Sequence, residues 1–150
     1  MFLEKELSYK MIGCFFRVAN QYGTGHRENL YDRAFQEELD KEKLMYVSKP
    51  RIPIYSLTTG KKIGTFIPDY LIENKIVVEL KARPFLREEE KRQLLEYLKI
   101  SPYEIGYLIN FGENSLKPKR FIYTNDRKPF LIHLWSVRNL YKICINLFLE

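Results

Sequence analysis

Cysteine and histidine are scarce in this chain: its 150 residues hold two of each, Cys14 and Cys144, His26 and His133. None of the four has the short spacing to a second ligand that a zinc centre uses, so the ligand supply excludes a structural zinc site. Two isolated thiols fit buried cysteines in a reducing compartment, and a cytoplasmic location is expected. The opening residues MFLEKELSYK put acids where a secretion signal needs a positive start and then an apolar run, so no such signal is expected. Gly/Ser-rich linkers, internal repeats and low-complexity tracts are also lacking, and nothing marks a boundary between domains. An unbroken membrane-spanning run is missing too. Residues 130–149, FLIHLWSVRNLYKICINLFL, come nearest in length, but His133, Arg138, Asn139 and Lys142 interrupt them. Their apolar residues recur at Leu134, Val137, Tyr141 and Ile145, which predicts a docked amphipathic helix, with an interfacial membrane helix or a dimer contact as the alternatives.

The residues present describe an ordinary globular composition, 45% hydrophobic and 29% charged, which excludes a disordered chain. The net charge of +6 favours polyanionic partners, nucleic acid first and acidic membrane second. Helical spacing of Met11, Phe15, Val18 and Tyr22 predicts a helix over residues 4–22, broken at YGTGH, where Gly23 and Gly25 can take positive φ. A second helix follows, with Leu30, Ala34, Phe35 and Leu39 on one face. After Pro50 the pattern turns to β-branched and aromatic residues. Two strands around a turn at TTGKK, then a tight connection at Glu73-Asn74 into KIVVELKA, predict a three-stranded meander stopped by Pro84. LREEEKRQLLEYLK reads as a helix with Leu94, Leu95 and Leu98 inward, IGYLINFG as a buried strand and KRFIYT as a last strand. The expected class is mixed α/β, one central sheet of about five strands flanked by helices, with a C-terminal helix.

Within IPDYLIENKIVVELKA, residues 67–82, Asp69, Glu79 and Lys81 interrupt runs that otherwise look like core strands. Antiparallel pairing about Glu73-Asn74 is expected to put Asp69 level with Val78, one step from Glu79. Glu79 and Lys81, two apart on a strand, point the same way. Carboxylates so close repel unless one is protonated or a cation lies between them, and a hard divalent ion suits that role. The carbonyl of Leu80 is placed to add an oxygen. Lys81 could then serve an attacking water or charge growing on a phosphate. The plainer alternative is a surface ion pair between Lys81 and one acid.

These residues resemble the PD-(D/E)XK nuclease superfamily: Pro68-Asp69 and Glu79-Leu80-Lys81 stand as its PD and ExK. Gly25, Glu28 and Tyr31 match the G-x-x-E-x-x-Y signature of its GxxExxY branch, although Thr24 stands where that pattern often has proline. Gln93 and Tyr97 match the Q-x-x-x-Y motif of RecB-like nucleases. The resemblance covers roughly residues 5–123. It implies a restriction-endonuclease-like core in residues 1–124, with residues 125–150 as an extension packed on the same domain. It also implies metal ligation by Asp69, Glu79, the Leu80 carbonyl and Glu28, directly or through water, with Mg²⁺ as cofactor and Mn²⁺ able to replace it. Catalysis would fall to Asp69, Glu79, Lys81 and Glu28, and substrate positioning to Gln93, Tyr97 and Tyr31. A Glu in a first helical turn is also favoured simply by the helix dipole, and Gln93 and Tyr97 could be only a polar helix edge.

The leading expectation is a Mg-dependent nuclease hydrolysing DNA. The alternative is a catalytically silent nucleic-acid-binding or adaptor module of the same fold, since a fold does not fix an activity. A third reading is an interaction protein acting through the C-terminal helix at a membrane surface or dimer interface, and that helix is also where a homodimer or protein partner is expected.

Overall fold

The computed structural model describes residues 2–131. Cys144, His133 and nearly all of the helix expected over residues 130–149 lie outside the described residues. Two helices packed on each other come first, α1 (Lys5–Tyr22) and α2 (Glu28–Lys41). Gly23 ends α1 at φ 66°, its N–H donating to the Ala19 carbonyl, and Gly25 follows at φ 92°. Both glycines therefore take the left-handed conformations that side chains resist. The strands are β1 (Tyr46–Ser48), β2 (Ile52–Tyr55), β3 (Lys62–Phe66), β4 (Tyr70–Ile72), β5 (Ile76–Lys81), β6 (Ile105–Asn110) and β7 (Lys119–Ile122); α3 (Glu88–Lys99) joins β5 to β6. Three acids, Glu88, Glu89 and Glu90, open α3 and Lys99 closes it, which matches the helix dipole at both ends.

Five strands form one mixed sheet in the order β1-β4-β5-β6-β7, while β2 and β3 pair only with each other. The expected meander is thus corrected. Its first hairpin leaves the sheet after Phe66, because Ile67-Pro68-Asp69 cannot continue a ladder through a residue with no N–H. The short Tyr46–Ser48 strand takes the place beside β4 instead. β5 and β6 run parallel with α3 as the crossover, and the remaining pairs are antiparallel.

The sheet is covered on both faces. Met11, Phe15, Val18, Tyr31 and Phe35 from α1 and α2 pack on Ile76, Val78 and Leu80 of β5. Leu94 and Leu98 of α3, with Ile52, Ile54 and Phe66 of the β2–β3 hairpin, pack on Val77 from the other side. Leu95, expected inward, is only half-buried. The strand alternation then sends Glu79 and Lys81, which continue the Val77 row, toward α3.

Candidate active site

Most of the residues singled out in the sequence gather near the C-terminal end of β5; Tyr31 does not. At that end of a parallel strand the chain turns away and leaves a crevice. The β4–β5 register is Tyr70↔Val78, Leu71↔Val77 and Ile72↔Ile76. Continued by one residue it places Asp69 opposite Glu79, not opposite Val78 as the sequence suggested. The one-step difference comes from the turn: Glu73 and Asn74 both have positive φ (51° and 55°), Lys75 N–H donates to Ile72 C=O at 2.9 Å, and pairing resumes only at Ile76. Two successive left-handed residues make the turn that matches strand twist.

Asp69 is buried, 8% exposed, and both of its carboxylate oxygens are engaged. Oδ2 accepts the Leu80 N–H at 2.8 Å. Oδ1 pairs with the Lys49 ammonium. Because N–H and C=O of one strand residue point to the same side, the Leu80 carbonyl also faces the edge where Asp69 sits. Glu79 is half-buried, and its carboxyl is pushed up to about 7, first by desolvation and then by the negative charge of Asp69, with Lys81 and Lys49 opposing. Glu28, the first residue of α2, stands at the exposed rim. Its carboxyl is raised by desolvation, with Lys81 lowering it and Asp69 adding to the rise. Four of the expected residues, Glu28, Asp69, Glu79 and Lys81, therefore share one electrostatic neighbourhood.

Beside them lies a cleft of about 380 Å³ walled by Phe66, Glu79, Lys81, Glu90, Gln93 and Tyr97. Gln93 is exposed, and Tyr97 lies flat on Phe66 with ring centroids 3.8 Å apart. Tyr31 is not in the cleft. It is fully buried, stacks on Phe111 at 4.6 Å and donates its hydroxyl to the Gly23 carbonyl at 2.5 Å, which fixes the glycine loop ahead of Glu28. His26, beside that loop, keeps its ring against the Tyr22 carbonyl at 2.8 Å.

Three residues escaped sequence reasoning. Lys49 reaches Asp69 from the end of β1. Glu90 lines the cleft and pairs with Arg83 at 2.8 Å. Asn110, 2% exposed, brackets Arg83: its Oδ1 accepts the Arg83 N–H at 3.0 Å and the Gly112 N–H at 3.1 Å, and its Nδ2 donates to the Arg83 C=O at 2.8 Å. Gly112 completes this clamp, for a Cβ there would lie 2.1 Å from the Arg83 carbonyl oxygen. The chain leaving Lys81 is thereby pinned to the end of β6. A signal for Asn110 was present in LINFG, a polar residue closing an apolar strand two positions before glycine.

A hard divalent ion such as Mg²⁺ is held by one or two carboxylates with water filling the remaining positions. Asp69, Glu79 and the Leu80 carbonyl meet that requirement. Among the described residues no three His, Cys, Asp or Glu side chains are grouped to hold an ion, so Glu28 does not close with Asp69 and Glu79 into a full protein cage. The donor set fits a hydrated hard cation.

No helix among the described residues is long and apolar enough to cross a membrane. The family described as the PD-(D/E)XK nuclease superfamily matches this chain over residues 5–121. Neither a curated protein nor a solved structure matches it.

Proposed function

The chain belongs to the PD-(D/E)XK nuclease superfamily, and from that premise we propose that it hydrolyses DNA phosphodiester bonds with a divalent ion, Mg²⁺ first and Mn²⁺ in its place. The observation that carries this reading is the β4–β5 register, which continued by one residue sets Asp69 opposite Glu79, with Glu79 and Lys81 both lining the cleft. A charged row there has no packing purpose, since the same strand face is apolar at Val77.

In this reading Asp69, Glu79 and the Leu80 carbonyl hold the ion, and Glu28 acts at the rim through water. Such an ion, when bound, offsets charge gathering on the phosphate and makes water a better nucleophile. Asp69 is oriented for its part by the Leu80 amide. Lys81 shares the Glu79 face and lines the cleft, where in this reading its ammonium orients the attacking water and offsets negative charge in the transition state. Gln93 and Tyr97 line the opposite wall and hold the substrate backbone. Tyr31 acts at a distance, by fixing the loop that presents Glu28. The glycine loop with Gly25, Glu28 and Tyr31 supports reading the chain as a member of the GxxExxY branch. The +6 net charge favours a polyanionic substrate, and in this reading the protein acts on nucleic acid in the cytoplasm.

One observation favours the adaptor reading: no group of three ligating side chains exists among the described residues. The two are separated by incubating supercoiled, linear and single-stranded DNA with Mg²⁺ or Mn²⁺, using wild type, Asp69→Ala and Lys81→Ala. Metal-dependent cleavage lost in both variants is expected. Wild type that binds DNA equally in EDTA and never cuts it would establish the adaptor instead.

A further inference from the structure

Lys49 touches Asp69 twice. Ser48↔Tyr70 is the last rung of the β1–β4 ladder, so Lys49 and Asp69 face each other just beyond it, and the Lys49 N–H donates to the Asp69 carbonyl at 2.9 Å. The side chain then returns to the Asp69 carboxylate. Lys49 adopts φ 52° immediately before Pro50, a left-handed conformation that few non-glycine residues take. The two ends of the ion pair are unlike: the Lys49 side chain is 62% exposed and that of Asp69 11%.

The oxygens of Asp69 divide the same way. Oδ2 is committed to a backbone amide that cannot move without unmaking β5. Oδ1 is the oxygen left for a ligand, and it is the one Lys49 holds. Two cations on one carboxylate oxygen repel each other, so an incoming divalent ion and the ammonium exclude one another there. The lysine can leave cheaply because most of its side chain already lies in water. Asp69 cannot. With Lys49 in place the facing carboxylates are partly neutralised without metal; with a divalent ion added and Lys49 withdrawn, the cluster of Glu28, Asp69, Glu79 and Lys81 returns near neutrality.

We propose that Lys49 is a resident cation of this site, holding Asp69 Oδ1 until a divalent ion takes that oxygen and releases the lysine to solvent. The inference rests on the reading of Asp69 and Glu79 as metal ligands. It assigns Lys49 the part of a positioning residue that sets the metal affinity and keeps the empty acids from repelling.

Lysine acetylation by an N-hydroxysuccinimide ester, read by mass spectrometry, tests the release on wild-type protein with EDTA or saturating Mg²⁺. Calorimetry with Mn²⁺ on wild type and Lys49→Gln tests the competition. Labelling of Lys49 is expected to rise severalfold on Mg²⁺ addition while Lys62 on β3 is unchanged, and in Asp69→Asn to be high with or without Mg²⁺. Lys49→Gln is expected to take up Mn²⁺ about tenfold more tightly, as when a ligand-competent state is about one-tenth populated. Calorimetric uptake by wild type with unchanged Lys49 labelling and an unchanged affinity in Lys49→Gln would overturn the proposal and leave the metal reading standing. Absence of uptake by both proteins would overturn the metal reading, and this proposal with it.

Discussion

Asp69 and Leu80 are joined by a hydrogen bond of 2.8 Å, from the Leu80 amide to Asp69 Oδ2, at the point where the β4–β5 ladder has already ended. The aspartate side chain takes over a position that a strand carbonyl would fill, and so it is fixed in direction by the backbone of the strand carrying Glu79 and Lys81. Asp69→Asn preserves the shape and can still accept from that amide, but it removes the charge. Calorimetric Mn²⁺ uptake should vanish, and cleavage should fall by about 10²-fold or more, the scale of losing one electrostatic contact at a reacting centre. Melting should stay within a few degrees of wild type. Retained Mn²⁺ uptake in this variant contradicts the assignment.

The Asn110 clamp makes a prediction about stability. Asn110→Ala leaves the Arg83 N–H and C=O and the Gly112 N–H without their side-chain partner in a buried place. Stranded groups of this kind cost about 1–3 kcal/mol each before relaxation, so a loss of about 2–4 kcal/mol in urea unfolding is expected. Gly112→Ala should be worse, because the new methyl meets backbone at 2.1 Å and not a movable side chain. An Asn110→Ala protein as stable as wild type would show that water replaces the clamp.

Glu79 gives a pH dependence. Its carboxyl is raised from 4.5 to about 7 in the folded protein, so between those values the folded state holds a proton that the unfolded chain has released. The sign follows: metal-free protein loses stability as pH rises from about 4.5 to 7, and the loss levels off above that. Glu79→Gln abolishes this slope, and the gap in its favour should widen across the window in chelator-treated samples. Parallel curves for the two proteins from pH 4.5 to 7 would mean that Glu79 is not held protonated.

Tyr97 separates wall from chemistry. Its ring stacks on Phe66 at 3.8 Å and helps to close the cleft. Tyr97→Phe keeps the stack and should melt like wild type, while Tyr97→Ala should lose about 2 kcal/mol through lost packing. If the hydroxyl holds the substrate, Tyr97→Phe lowers kcat/KM about tenfold, a single hydrogen bond's worth. Unchanged kcat/KM assigns Tyr97 to the wall alone.

The helices were legible because their information is local: the spacing of Met11, Phe15 and Val18, and of Leu94 and Leu98, matches the faces that are buried. The proximity of Asp69 and Glu79 was legible as well, since one hairpin carries both. Its register was missed by a residue because loop length depends on how Glu73 and Asn74 turn. β1 was missed because three residues, Tyr46–Ser48, carry no periodicity, and their pairing with β4 is settled by the hairpin's departure at Pro68. Lys49 was out of reach for the same reason, and for Asn110 the residue was legible but its partner was not. Their partners lie 20 and 27 residues away, and only the assembled sheet brings them together.

A crystal soaked in Mn²⁺ and measured at the manganese absorption edge addresses the account most directly. An anomalous peak between the Asp69 and Glu79 carboxylates, with the Leu80 carbonyl toward it and Lys49 turned away from Asp69, is the expected result. A map with no peak there, in which Lys49 still holds Asp69 at a saturating Mn²⁺ concentration, would contradict it.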